Sequence, residues 1–146
     1  MKVHEDIMKE VEQEKYLGDI IDKSGTVQAT IEKRKSNGEG IVSEIISTIK
    51  EIPLGQHKAE VALKLREAML LNGILYNSEA WHGLTNAQIE KLESVDEVLL
   101  RGILNAHIKT QKKILHLETG TIPLKWIIAH RRLNYFKHIL SRDSDE

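Results

Sequence analysis

The carboxylates come first, because a polymerase, nuclease or other two-metal enzyme must gather them around ions about 3.5–4 Å apart to neutralise phosphate charge. Asp19 and Asp22 flank an expected turn, Asp96 falls on the charged side of an expected helix, and Asp143 and Asp145 stand in the C-terminal tail. Scattered in this way they form no catalytic set, and each reads as a solvated surface carboxylate. Seven histidines raise the question of a metal. No pair with an acidic partner has the HExxH-like spacing that sets two imidazoles on one helix face. His130 and His138 share a face two turns apart, but Arg131 and Lys137 beside them disfavour a bound dication. There is no cysteine, which excludes disulfides, thiolate metal sites and Cys nucleophiles together. Gly38-Glu39-Gly40 lacks the third glycine and the strand-to-helix context of a phosphate loop. Ser78 precedes Glu79 and occupies no nucleophile elbow. No catalytic residue, no metal site and no cofactor is expected.

Two stretches remain that carry chemistry. In Leu75-Tyr76-Asn77-Ser78-Glu79-Ala80-Trp81 an apolar run passes directly into polar residues and then a Trp. One reading is a core corner, with Trp81 packed between helices and Glu79 accepting from backbone amides or pairing with Arg66 or Arg101. The other is a direct role for Glu79 at a nucleic acid, against which stands the repulsion between a carboxylate and phosphate. The second stretch runs from Lys109 to Arg142 and holds eight cations, Lys109, Lys112, Lys113, Lys125, Arg131, Arg132, Lys137 and Arg142, against the single acid Glu118. The chain as a whole carries a net charge of -1, so this last quarter is a basic module within a neutral protein. A solvated helix face would have this composition. A nucleic-acid groove would too, with Trp126, Tyr135 and Phe136 interleaved among the cations.

The elements that must position these residues follow from periodicity. With 146 residues, 40% of them hydrophobic and only 4% aromatic, the chain suits one domain whose core is built from Ile, Leu, Val and Ala. Lys15 to Ile21 reads as a strand entering a hairpin, with Asp22-Lys23-Ser24-Gly25 as the turn. Val27 to Ile52 has helical spacing, with Ile31, Ile41, Val42, Ile45, Ile46 and Ile49 on one stripe. Gly38 and Gly40 predict a kink or break in it, since a glycine costs about 1 kcal/mol in a helix interior. Pro53 and Gly55 end that segment. A second helix spans about His57 to Leu75, apolar around much of its circumference. The third opens at Thr85, which forms a capping box with Gln88, and its stripe is Ile89, Leu92, Val95, Leu99 and Ile103. A short helix from Gln111 to Glu118 stops at Thr119-Gly120. Pro123 opens the last, whose apolar face of Trp126, Ile127, Leu133, Phe136, Ile139 and Leu140 is expected to meet the bundle. The fold class is mainly α, a bundle of four to five helices with a short N-terminal β-strand or hairpin. Its parts are a charged segment 1–14, a strand or hairpin 15–26, a helical domain 27–142 and a tail 143–146. The mostly charged first residues offer no apolar signal region, and no run approaches the roughly 20 apolar residues that span a bilayer. A soluble intracellular protein, without membrane association, is the expectation.

Three of these stretches, in order, resemble the reverse transcriptases of LINE-type non-LTR retrotransposons. Lys15-Tyr16-Leu17-Gly18 is similar to their KYLG motif, at the end of the palm where the chain enters the thumb. Leu75 to Trp81 is similar to their LYGSExW motif, with Asn77 in place of the glycine. Leu117 to Leu124, then Arg131-Arg132-Leu133-Asn134-Tyr135 and His138-Ile139-Leu140, resemble their LxxGxxPL, RRLxY and HIL series. The resemblance covers about Lys15 to Arg142. It implies a helical thumb that grips template-primer, with Tyr16, Leu17, Gly18, Tyr76, Glu79, Trp81, Gly120 and Pro123 as motif positions. The family's metal-binding aspartates, including the YxDD box, lie upstream of KYLG and have no counterpart here. What is expected is therefore a fragment of an RNA-directed DNA polymerase that is catalytically silent alone. Its nucleic-acid contacts would come from Lys109, Lys112, Lys113, Lys125, Arg131, Arg132 and Lys137. Its partners would be an RNA-DNA hybrid or RNA, and a polymerase palm if the full gene encodes one. The alternative is a protein-interaction or self-associating helical domain from a degenerate or domesticated copy.

Overall fold

The computed structural model describes residues 12–16, 18–23, 25–53 and 56–142. Most of the expected N-terminal segment, Leu17, Gly55 and the tail 143–146 lie outside the described residues. The chain is mainly α, with a two-stranded antiparallel hairpin at its start.

Strands β1 (Gln13–Tyr16) and β2 (Asp19–Asp22) pair with Tyr16 opposite Asp19. The chain therefore reverses between Tyr16 and Asp19, inside the stretch expected to be one strand, whereas the expected turn at Asp22–Gly25, whose Ser24 lies outside the described residues, falls after β2. Gly18 has φ +92°, the left-handed backbone that a two-residue hairpin demands and a side chain resists.

Helix α1 (Gln28–Lys50) runs uninterrupted through Ser36–Gly40. The expected break is absent, and the reason is packing. A Cβ on Gly38 would lie 2.7 Å from Ile74 Cγ2 and 3.0 Å from Val95 Cγ1, so the glycine lets three helices approach closely. That closeness offsets the conformational cost of about 1 kcal/mol. On the same stripe Ile31, Val42, Ile45 and Ile49 are buried, with Ile41 and Ile46 packed beside them.

The expected second helix is one rod in three parts. Helix α2 (Gln56–Leu65) passes into a π-helical stretch (Arg66–Leu71) and a final turn, α3 (Asn72–Ile74). A π-helix closes its hydrogen bonds one residue later than an α-helix and so turns less per residue. That slower rotation lets Leu70, Leu71, Ile74 and Leu75 all reach the core. Trp81, just beyond a 3-10 turn at Ser78–Ala80, is buried in the same cluster, the core-corner arrangement.

Helix α4 (Asn86–Leu104) begins with the expected capping box: Thr85 Oγ1 accepts from the Gln88 amide at 3.3 Å, and Gln88 Oε1 accepts from the Thr85 amide at 2.9 Å. Leu92, Val95 and Leu99 are buried, with Ile89 and Ile103 beside them, and α4 packs most extensively on α1. Helix α5 (Lys112–Thr119) ends on Gly120 at φ +65°. Helix α6 (Leu124–Arg142) follows Pro123, whose carbonyl accepts from Trp126 N at 3.1 Å.

The expected inward face of α6 requires correction. Leu124 and Ile128 are buried and Ile127 packs beside them, while Trp126, Leu133, Phe136, Ile139 and Leu140 are exposed. The helix rests on α4 and the Ser78–Ala80 turn near its start, then runs past the bundle. Among the described residues no helix is long and apolar enough to cross a membrane.

Candidate nucleic-acid interface

The site begins where α5 turns into α6. Gly120 closes α5, Thr119 Oγ1 donates to the Leu115 carbonyl at 2.7 Å, and His116 Nδ1 lies 2.9 Å from Thr121 Oγ1. This short stiff corner holds the two helices around a cleft of about 860 Å³, lined by Lys112, Lys113 and Lys125 together with His116, Thr121 and Glu93. Burial holds the His116 imidazole below its usual pKa, which keeps the ring neutral near pH 7.

The three lysines are not equivalent. Lys112 Nζ stands 2.7 Å from Glu97 Oε1, and that buried carboxylate raises the lysine's pKa. Lys125 sits over the Trp126 ring at 5.4 Å, while its backbone amide donates to Glu93 Oε1 at 3.2 Å. Lys113 is exposed. Arg132 follows Lys125 by two helical turns and extends the same side of α6. Lys109 and Lys137 are exposed outside the cleft, Lys137 toward the other flank of α6.

Arg131 stands apart from this set. Its Nη1 donates to the Leu75 carbonyl at 2.7 Å, joining the Ser78 amide at this helix-end acceptor of the second rod. It lines a separate pocket of about 300 Å³ with Asn72, Tyr76, Asn77 and Glu79. The basic residues therefore divide: Lys112, Lys113 and Lys125 converge, whereas Arg131 fastens α6 to the chain before Tyr76. Glu79 is partly buried beside it. Neither expected arginine reaches Glu79, because Arg66 is bound to Asp96 and Arg101 to Glu97. Ser78 is wholly buried, out of reach of any substrate.

Two carboxylates read as solvated are enclosed. Asp96 is 1% exposed and takes a two-pronged grip from Arg66, Nε to Oδ1 at 2.6 Å and Nη2 to Oδ2 at 2.7 Å. Asp19 is partly buried between Arg34 Nη2 at 2.8 Å and Asn77 Nδ2 at 2.6 Å. Arg34 also donates to the carbonyls of Gly18 and Gly73 and lies 5.2 Å from the centre of the Tyr76 ring. Sequence reasoning missed Arg34 and Arg66 as organisers. The signal was present: Arg34 falls on the Ile31–Gly38–Val42 stripe and Arg66 between Ala62 and Leu70, and a charge on an apolar stripe needs a buried partner.

Among the described residues no group of three or more His, Cys, Asp or Glu is placed to hold a metal ion, and His130 and His138 are exposed. No family model matches the chain, nor does any curated protein or solved structure.

Proposed function

We propose that this chain is a thumb-like nucleic-acid-binding module of a LINE-type reverse transcriptase, without the metal-binding aspartates of the palm. The observation that carries the reading is the convergence of Lys112, Lys113 and Lys125 on one cleft at the α5–α6 corner; Arg132, seven residues after Lys125, continues the line by helical spacing. The polymerase assignment itself rests on the ordered motif set. It draws support from the way Arg34 gathers Gly18 and Asp19 of the first motif region against Gly73 and Tyr76 at the second.

Lysine ammonium groups contact phosphate as point charges and carry no base identity, so binding is weak, sequence-tolerant and salt-dependent. The test is a titration of a hybrid of about 16 RNA-DNA base pairs at several salt concentrations. With three to four phosphates neutralised, log K against log salt falls with a slope of roughly -3. The triple variant Lys113→Gln, Lys125→Gln, Arg132→Gln is expected to flatten that slope toward zero with an unchanged helical CD spectrum. No binding at about 50 mM salt, or an unaltered slope, overturns the reading. On a primed RNA template with Mg2+ or Mn2+ the chain is expected to incorporate no nucleotide; metal-dependent extension that survives repurification would refute its catalytic silence.

A protein-interaction domain is the second reading, and one observation favours it: the outer face of α6 is apolar and uncovered.

A further inference from the structure

The exposed apolar residues of α6 are ordered. Trp126, Leu133 and Leu140 recur every seventh residue, and Ala129 and Phe136 fall three residues after the first two, giving the a/d seam of two heptads. The four large side chains are 55–66% exposed, on the side of the helix away from buried Leu124 and Ile128. The seam spans about 21 Å at 1.5 Å per residue. Leucines at two of its positions distinguish it from a base-stacking surface, which needs π faces along its length.

The charges beside the seam select the occupant. The flanking e and g positions hold Lys125, His130, Arg132, Lys137 and Ile139, and α6 carries no carboxylate at all. A second copy docked on this face, parallel or antiparallel, would set cations against cations, which destabilises the pair. We infer that the outer face of α6 docks an amphipathic helix of a partner protein, one whose own a/d seam is flanked by Glu or Asp. The partner's seam covers Trp126, Leu133, Phe136 and Leu140, and its carboxylates meet Lys125, Arg132 and Lys137. This inference rests on the exposed apolar face and its flanking charges, of which Lys125 and Arg132 are shared with the nucleic-acid reading.

The probe is a set of three helix-stapled peptides, each three heptads long and fluorescently labelled, titrated with the full chain in anisotropy measurements. One has Leu at a and d with Glu at e and g. The second has the same composition with the Leu seam scrambled, and the third replaces Glu by Lys. The first is expected to bind at least tenfold more tightly than either control. Leu133→Gln, a neutral substitution at an exposed position, is expected to abolish that preference while leaving thermal melting and RNA-DNA hybrid binding unchanged. Equal binding of the seam and scrambled peptides overturns the inference, as does binding of none. Concentration-dependent dimerisation in sedimentation equilibrium that Leu133→Gln removes assigns the face to a second copy and overturns it too. Loss of hybrid binding in Leu133→Gln, with the fold intact, gives the face to nucleic acid and has the same consequence.

Discussion

Asn77 donates a 2.6 Å hydrogen bond from Nδ2 to Oδ2 of Asp19, joining the loop after the second helical rod to the N-terminal hairpin. Asn77 also has φ +61°, in the left-handed region. The two facts suit Asn to a position whose left-handed backbone would otherwise favour Gly. Asn enters this region more readily than other residues with side chains, and its amide adds a contact that Gly lacks. Asn77→Ala removes the hydrogen bond and keeps a Cβ in left-handed backbone. It is expected to be about 1–2 kcal/mol less stable than Asn77→Gly, the usual left-handed penalty. Urea unfolding of both variants measures the difference, and equal stabilities would show that the backbone there carries no such demand.

Gly38 and Gly40, two residues apart on one helix, are expected to respond to alanine with opposite signs. A Cβ at Gly38 meets Ile74 and Val95, so Gly38→Ala overpacks the core and costs about 1–3 kcal/mol. At Gly40 nothing lies within 4 Å of the added Cβ. Gly40→Ala there stabilises by roughly 0.5–1 kcal/mol through helix propensity alone. Thermal melts of the two variants against the parent settle both signs.

Asp96→Asn leaves Arg66 charged and enclosed without its counter-ion. The expected loss is about 3–5 kcal/mol, the usual cost of breaking a buried pair from one side. Replacing both residues by apolar ones, Arg66→Met with Asp96→Leu, is expected to recover most of that loss. A double variant as unstable as the single one would mean that the pair is itself a net source of stability.

His116 sets a pH dependence. Its pKa lies below the usual value near 6.5 because burial disfavours the imidazolium. The unfolded chain therefore binds the proton more readily than the folded one. The stability contribution is complete above pH 6.5 and is lost as the pH falls through that value toward the folded-state pKa. Denaturant unfolding at steps between about pH 7.5 and 5.5 should show stability declining on the acid side. His116→Gln should flatten the decline; an identical profile in that variant would assign the effect to another group.

Local chemistry was legible in the sequence, and chemistry between distant residues was not. The Thr85–Gln88 box, the Gly120 stop and the Pro123 start each depend on neighbours within four residues, and all three stand where the sequence places them. The hairpin turn was misplaced because Asp22–Gly25 carries the stronger turn composition, while the reversal is set by Gly18. Gly38 misled for a different reason. Helix propensity counts its local cost and cannot see Ile74 and Val95, which arrive from other helices. Asp96 looked like surface because its partner lies 30 positions earlier. On α6 the apolar period was real, but periodicity states only that a face exists, not which side the bundle covers. The division of the candidate cations between the cleft and the Arg131 anchor was not legible, because it depends on how α6 leans on the Ser78–Ala80 turn.

From Arg132 to Arg142 every residue of α6 is exposed. Short helices without tertiary cover are marginal in water, since most helical stability in proteins comes from packing one face. This distal stretch is held in shape by continuity with the buried first turns, so its amide protons are expected to lose protection progressively from Ile128 toward the C-terminus, and a helix laid against its outer side would supply the packing that the rest of the chain withholds.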